Sequence, residues 1–218
     1  MLTASRLEYA HAFDQAAAWL GQVRGPVVAV LSAPEYVDLV LARAMWPVVL
    51  SCDAAPELDH ARARLAQGLV PGAIAQASRA VGPVETVQGE RCFSGALWAS
   101  PRRRSAGAKL AALARLLLPD SPLCLLSGAG LGAATGQPER LPEAVRRGLV
   151  GPAWQPAPEV RQIGSAVSLG WGVAGRLAML ARRPDLADRA ERAHHLAVEQ
   201  PCAAPYRVLR VRRGADRA

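Results

Sequence analysis

Lysine is almost absent from this chain of 218 residues. Lys109 is its only lysine, so arginine supplies nearly all of the positive charge behind the formal net charge of +8. That charge permits anionic partners, but the tight basic runs are only Arg102–Arg104 and Arg210–Arg213, and aromatic residues make up just 5% of the chain. Because no aromatic residues alternate with the arginines as a stacking platform requires, we do not expect nucleic-acid binding.

Paired cysteines are also missing. The four cysteines are far apart and form no CxxC pair, so neither a zinc site nor any other metal is expected. The N-terminus has no secretory signal, which predicts a cytoplasmic protein with reduced, mostly buried thiols. These cysteines are Cys52, Cys92, Cys124 and Cys202.

The chain lacks a long uninterrupted apolar run. Residues 163–181 are nearly uncharged, but glycines and Arg176 interrupt them too often for a membrane span. We expect a helical cover over the ligand edge of a sheet instead, as an insertion at about 164–200. A chain of this length fits a single domain covering 1–218.

Several catalytic signatures are absent as well. No GxSxG elbow and no phosphate-binding P-loop occur. Residues 128–133 match the GxGxxA form of a dinucleotide fingerprint and follow an apolar run. However, no helix begins directly at Gly132 and no ribose-binding acid follows, which favours a loop at the edge of a sheet for residues 128–136. The role of that loop stays open.

What the chain does contain is a nucleotide-type half-site. An apolar run at 26–31 is followed by a loop, an amphipathic segment at about 35–45, a second apolar run at 48–52, and Asp53. This order is typical of a strand, helix and strand in a doubly wound domain, with an acid where the second strand ends.

The rest of the chain continues the alternation of strands and helices. Such alternation predicts an α/β fold, with a mostly parallel sheet covered by helices on both faces. The patterns predict further helices at about 4–23, 54–67, 105–117, 142–149 and 185–199, and further strands at about 73–77, 92–98, 123–126, 159–163 and 206–212.

The order of elements over 27–126 resembles the class I S-adenosylmethionine-dependent methyltransferases of the small-molecule type. The resemblance depends on Asp53 and the Ala-Pro-Glu-Leu that follows it, on a strand centred on Phe93, and on a leucine-rich helix that ends at Pro119 before the next strand. It implies a methyltransferase-like Rossmann fold and S-adenosylmethionine as the possible cofactor.

The resemblance also implies site residues. Ser32 and Ala33 occupy the place of the family's cofactor loop, Asp53 that of the acid which accepts hydrogen bonds from the ribose hydroxyls, and Ser78 that of an acid near adenine. A carboxylate suits two vicinal hydroxyls because its two oxygens can each accept one bond. Asp53 could equally cap the helix that follows it, since aspartate is a preferred capping residue.

The cofactor loop departs from the family pattern. The segment 32–35 reads Ser-Ala-Pro-Glu without glycine, serine stands at position 78, and Phe93 is followed by serine instead of aspartate. We therefore expect a degenerate protein, non-catalytic or with weak cofactor binding, that serves as a binding or assembly module for a small molecule or a protein partner. The alternative is an active S-adenosylmethionine-dependent methyltransferase that acts on a small molecule. Four side chains are conceivable bases, but surface or structural roles are favoured for all of them: Glu35, Tyr36, His194 and His195.

Overall fold

A computed structural model describes residues 4–68, 72–99, 106–128, 143–149, 152–155, 159–163, 174–175, 177–198 and 206–214. Seven helices in this part are labelled here α1 (Ala4–Leu20), α2 (Pro34–Leu41), α3 (Ala55–Ala66), α4 (Gly72–Ala77), α5 (Ala106–Leu116), α6 (Glu143–Leu149) and α7 (Pro184–Val198), and a 3₁₀ helix covers Val84–Thr86. The strands are β1 (Val27–Leu31), β2 (Val48–Cys52), β3 (Arg79–Val81), β4 (Gly95–Ala99), β5 (Pro122–Gly128), β6 (Glu159–Ile163) and β7 (Tyr206–Arg212).

The strands form one seven-stranded sheet in the order β3-β2-β1-β4-β5-β7-β6. β1 lies between β2 and β4 and is parallel to both, and the pairs β2–β3 and β4–β5 are parallel as well. Every residue of β1, β2 and β4 is buried. Continuous burial is expected of parallel strands that are covered on both faces, so the predicted α/β fold is confirmed.

Most of the sheet belongs to a compact unit made of 13–126, 141–159 and 209–218. Its core brings Val28 and Val30 of β1 together with Trp98 of β4 and with Leu113 and Leu116 of α5. The buried residues of α5 recur at three- and four-residue steps, which places them on one face of the helix.

A second compact unit comprises 1–12, 127–140 and 160–208. It includes α7, whose buried side carries Ala187 and Ala190. The helix is where the sequence predicts it, but Leu186 is exposed and not on the buried side. In the part of the chain that the structure describes, no helix is long and apolar enough to cross a membrane.

The region between β2 and β4 differs from the sequence-based prediction. Residues 72–77 form α4 and not a strand, and the third strand follows at Arg79–Val81 inside a segment predicted as loop. Sheet pairing explains the difference, because three residues beside β2 are enough to complete a ladder but too few to show a period of two. The fourth strand begins at Gly95, after Phe93 has made an isolated parallel bridge to Leu117.

Candidate ligand site at the carboxyl edge of the sheet

The carboxyl ends of β1 and β2 meet at one edge of the sheet. Leu31 and Cys52, the last residues of these strands, are register partners, so Ser32 and Asp53 leave the sheet side by side. The chemistry-bearing residues of open α/β sheets gather at this edge. The structure therefore brings three of the four predicted site residues, Ser32, Ala33 and Asp53, to one edge.

The loop after β1 has an ordinary backbone. Ala33 is extended, with φ −157° and ψ 146°, and α2 begins directly at Pro34, which suits proline because the first N–H groups of a helix have no partner within it. The Ser32 hydroxyl lies 3.5 Å from the carbonyl oxygen of Ala99, at the end of β4. This loop needs no glycine to fold, and its residues carry Cβ atoms that a glycine loop lacks.

Asp53 does not cap the helix that follows it. The N-cap position of α3 is Ala54, and no side chain caps it. One carboxylate oxygen of Asp53 instead accepts a short hydrogen bond from Nζ of Lys109, on α5. The capping alternative is therefore wrong, and the carboxylate has an ammonium partner from a distant part of the chain.

Lys109 is the most buried charge of this edge. Its side chain is 4% exposed, against 45% for Asp53 and 29% for Glu85, whose nearer oxygen lies 3.6 Å from Nζ. Glu85 comes from the 3₁₀ helix that follows β3. A buried ammonium is costly unless it is paired, and these two carboxylates compensate it.

A third carboxylate, Glu57, lies in the first turn of α3, where the positive end of the helix dipole stabilises a negative charge. Together with burial, the charges of Glu57 and Asp53 raise the pKa of the Cys52 thiol to about 11. The edge is thus acidic, with three carboxylates beside one ammonium.

Alkylation should distinguish the cysteines. At pH 8, iodoacetamide should label Cys92, which is exposed, at least about tenfold faster than Cys52, which is buried, because only about 0.1% of the Cys52 thiol is ionised at that pH. Mass spectrometry of tryptic peptides over a time course measures both rates. Equal alkylation rates of Cys52 and Cys92 in the folded protein would contradict the buried, acidic environment of Cys52. The urea-unfolded protein is the control, in which the two rates should become similar.

No protein-family model and no curated protein matches the sequence, but many solved structures match the fold. Geranyl diphosphate methyltransferase in complex with S-adenosylmethionine aligns with a TM-score of 0.61 and 9% identity over 94% of this chain and 85% of that one. The geranyl diphosphate C-methyltransferase of Streptomyces coelicolor was solved with S-adenosylhomocysteine. It aligns with a TM-score of 0.60 and 13% identity over 95% of this chain and 77% of that one. The [4+2]-cyclase SpnF aligns with a TM-score of 0.60 and 14% identity over 94% of this chain and 82% of that one.

The chain has the class I methyltransferase fold. The similarity covers almost the whole chain, whereas the sequence identities are low enough that only the fold is shared. The cyclase indicates that chains of this shape are not confined to enzymes named as methyltransferases.

Within this methyltransferase fold, the residues described do not fit an ordinary cofactor site. The loop after β1 keeps its side chains, and the carboxylate expected to accept the ribose hydroxyls already accepts from Lys109. A ribose hydroxyl that reaches the same oxygen of Asp53 would have to compete with the ammonium of Lys109 for it.

Ser78 is not at this edge, so its predicted grouping with Asp53 needs correction. Its hydroxyl accepts a hydrogen bond from the backbone N–H of Val48 at 3.0 Å and donates to the carbonyl of Ile74 at 2.7 Å. Val48 begins β2, and Ser78 directly precedes β3, which runs parallel to β2. Ser78 therefore lies at the amino edge, where it joins α4 to the sheet.

Sequence reasoning missed Lys109 and Glu85. A signal for Lys109 was present in the sequence. The only lysine of the chain follows Ala106 by three residues and precedes Leu113 by four, which places it on the apolar stripe of the helix. Glu85 had no such signal, since its place depends on the short strand β3.

The four conceivable bases gain no support. Tyr36 packs against Phe13 with ring centroids 5.9 Å apart. The side chains of Glu35, His194 and His195 lie outside the described residues, as do residues 100–105 and 129–136 of the loops after β4 and β5. Within the described part of the chain, no group of three or more His, Cys, Asp or Glu side chains could hold a metal ion.

Proposed function

We propose that this methyltransferase-fold protein is a binding or assembly module that does not carry out ordinary S-adenosylmethionine-dependent methyl transfer. One observation carries the proposal: the ammonium of Lys109, on a side chain only 4% exposed, binds the Asp53 carboxylate. The ammonium offsets the charge of the carboxylate and occupies one of the two oxygens that the resemblance assigns to the ribose hydroxyls.

The loop after β1 supports the same proposal. With Ala33 and Pro34 in place of glycines, Cβ atoms stand where a cofactor's carboxylate end would approach the backbone. The two features are independent in sequence, and each weakens cofactor binding by itself.

A second candidate is an active methyltransferase that acts on a small molecule. It is favoured by Asp53 itself, which follows β2 and remains 45% exposed, and by the acidic character of the edge. S-adenosylmethionine carries a sulfonium and an ammonium against one carboxylate, so a negative edge attracts it. Two of the structural neighbours were solved with S-adenosylmethionine or S-adenosylhomocysteine bound.

Calorimetric titration of the purified protein with S-adenosylhomocysteine separates the candidates. We expect no saturable heat at micromolar ligand, because one oxygen of Asp53 is bound to Lys109 and the loop after β1 has no glycine. A dissociation constant in the micromolar range would refute the module and support the enzyme. The absence of both heat and thermal shift at millimolar ligand would refute the enzyme.

A further inference from the structure

A basic groove lies at the opposite, amino edge of the sheet. It has a volume of about 300 Å³ and is bordered by segments that precede three strands: Arg24 before β1, Ser94 before β4, and 119–121 before β5. Because it adjoins the starts of these strands, it is separate from the edge that holds Asp53.

Three arginines line this groove: Arg24, Arg210 and Arg212. The last two alternate with Val211, which is 2% exposed, so the period of two in β7 directs both arginines away from the core. Among the described residues that line the groove, Asp120 is the only acidic one. Arg210 has a partner within the protein, so Arg24 and Arg212 are the arginines assigned to a ligand.

The carboxylate of Asp120 is engaged by a neutral donor. One of its oxygens accepts a hydrogen bond from Nε2 of Gln155 at 2.8 Å. The backbone of Asp120 has a positive φ of 60°, a conformation that aspartate and asparagine tolerate better than most residues. Asp120 therefore has a structural reason to be in the groove.

The rest of the groove combines apolar and neutral polar side chains. The apolar ones are Trp19, Val23, Pro119 and Pro122, and the polar ones are Gln22, Ser94 and Ser121. A groove with apolar side chains, a few polar groups and a volume at the small end of ligand sites suits a small organic molecule. Guanidinium groups bind phosphate through paired, charge-assisted hydrogen bonds.

We propose that this groove is a binding site for a small organic phosphate monoester. At neutral pH such an ester carries a charge of about −1.5 to −2, which the guanidinium groups of Arg24 and Arg212 can balance. The phosphate contacts these two arginines, and the organic group contacts Val23 and the two prolines. The site would bind independently of any ligand at the carboxyl edge.

Phenyl phosphate is a suitable probe in calorimetry at low ionic strength and in a buffer without phosphate. We expect saturable binding at one site, weakened about tenfold by Arg24→Gln or Arg212→Gln. Arg62→Gln is the matched control: it removes an arginine whose side chain is 62% exposed on α3, outside the groove. It should change the affinity by less than about twofold.

Asp120→Asn provides a test in the opposite direction. Asparagine keeps the backbone conformation and the acceptor for Gln155 but removes the negative charge. Binding of phenyl phosphate should therefore tighten by about three- to tenfold, a gain that a misfolded variant could not produce. A thermal melt of each variant confirms that it is folded.

Four outcomes would overturn the proposal. They are the absence of saturable heat up to about 10 mM probe, an equal loss of affinity in Arg62→Gln, no gain in Asp120→Asn, and binding of inorganic phosphate as tight as that of phenyl phosphate. Tighter binding of a short single-stranded oligonucleotide that depends on the same arginines would instead assign the groove to nucleic acid.

Discussion

Lys109→Met should raise the affinity of the protein for S-adenosylhomocysteine by about tenfold or more. Removal of the ammonium frees the Asp53 carboxylate to accept hydrogen bonds from the two ribose hydroxyls, and a hydrogen bond to a charged group contributes about 1.5–3 kcal/mol. Methionine has nearly the length of lysine and is compatible with a side chain that is 4% exposed. Calorimetric titration of both proteins at the same salt concentration measures the change.

Two control variants make this result specific. Lys109→Arg keeps a cation beside Asp53 and should bind as weakly as the parent protein. The double variant Lys109→Met with Asp53→Asn should lose the gained affinity, because an amide offers only one acceptor and no charge. If the double variant kept the gain, the ligand would not be using Asp53.

A loss of affinity in Lys109→Met would reverse the functional conclusion. It would mean that Lys109 orients the Asp53 carboxylate for the ribose, as a positioning residue of an active methyltransferase. The two candidate functions thus predict opposite changes in the affinity of Lys109→Met for S-adenosylhomocysteine. This single variant is therefore more informative than a search for substrates.

The fold could be predicted from the sequence because its central elements carry local signals. The apolar runs at 26–31 and 48–52 became β1 and β2 almost residue for residue, since a strand buried on both faces is apolar throughout. The amphipathic segment predicted at about 35–45 corresponds to α2, which begins at Pro34 and ends at Leu41. The short strand β3 was missed because its place is determined by pairing with β2 and not by its own three residues.

The site was less predictable for a physical reason. The position of Asp53 at the edge follows from local order, but its partner is 56 residues away, and a local pattern contains no information about such a contact. The prediction for Ser78 failed because a strand was predicted at 73–77, which would end just before this residue. The strand instead begins just after it, at Arg79, so Ser78 lies at the amino edge and not at the carboxyl edge. The basic groove depends on β7 and Arg24 together, which only the strand order brings into one place.

Asp53→Asn should destabilise the folded protein more than Lys109→Met does. The lysine side chain is 4% exposed, whereas Asp53 is 45% and Glu85 is 29% exposed. Loss of the lysine leaves two carboxylates that water can solvate in part. Loss of the aspartate charge leaves a buried ammonium with Glu85 at 3.6 Å as its remaining carboxylate partner in the described structure.

The breaking of a fully buried ion pair costs about 3–5 kcal/mol. Since the carboxylates here are partly solvated, we expect about 2 kcal/mol for Asp53→Asn and about 1 kcal/mol for Lys109→Met. Urea unfolding, followed by circular dichroism, gives both free energies of unfolding. Arg62→Gln, which alters an exposed pair on α3, should change the free energy by less than about 0.5 kcal/mol.

The double variant tests whether the two residues act as a pair. With neither charge present, no ammonium is left buried, and Glu85, which is 29% exposed, is the carboxylate that stays unpaired in both Lys109→Met and the double variant. The double variant should therefore be more stable than the sum of the single changes predicts by about 1–2 kcal/mol. Additive effects, or an equal cost for the two single variants, would mean that the ammonium of Lys109 is hydrated or paired elsewhere in solution. In that case Asp53 would be open to a ribose, and the argument for a non-catalytic module would lose its main support.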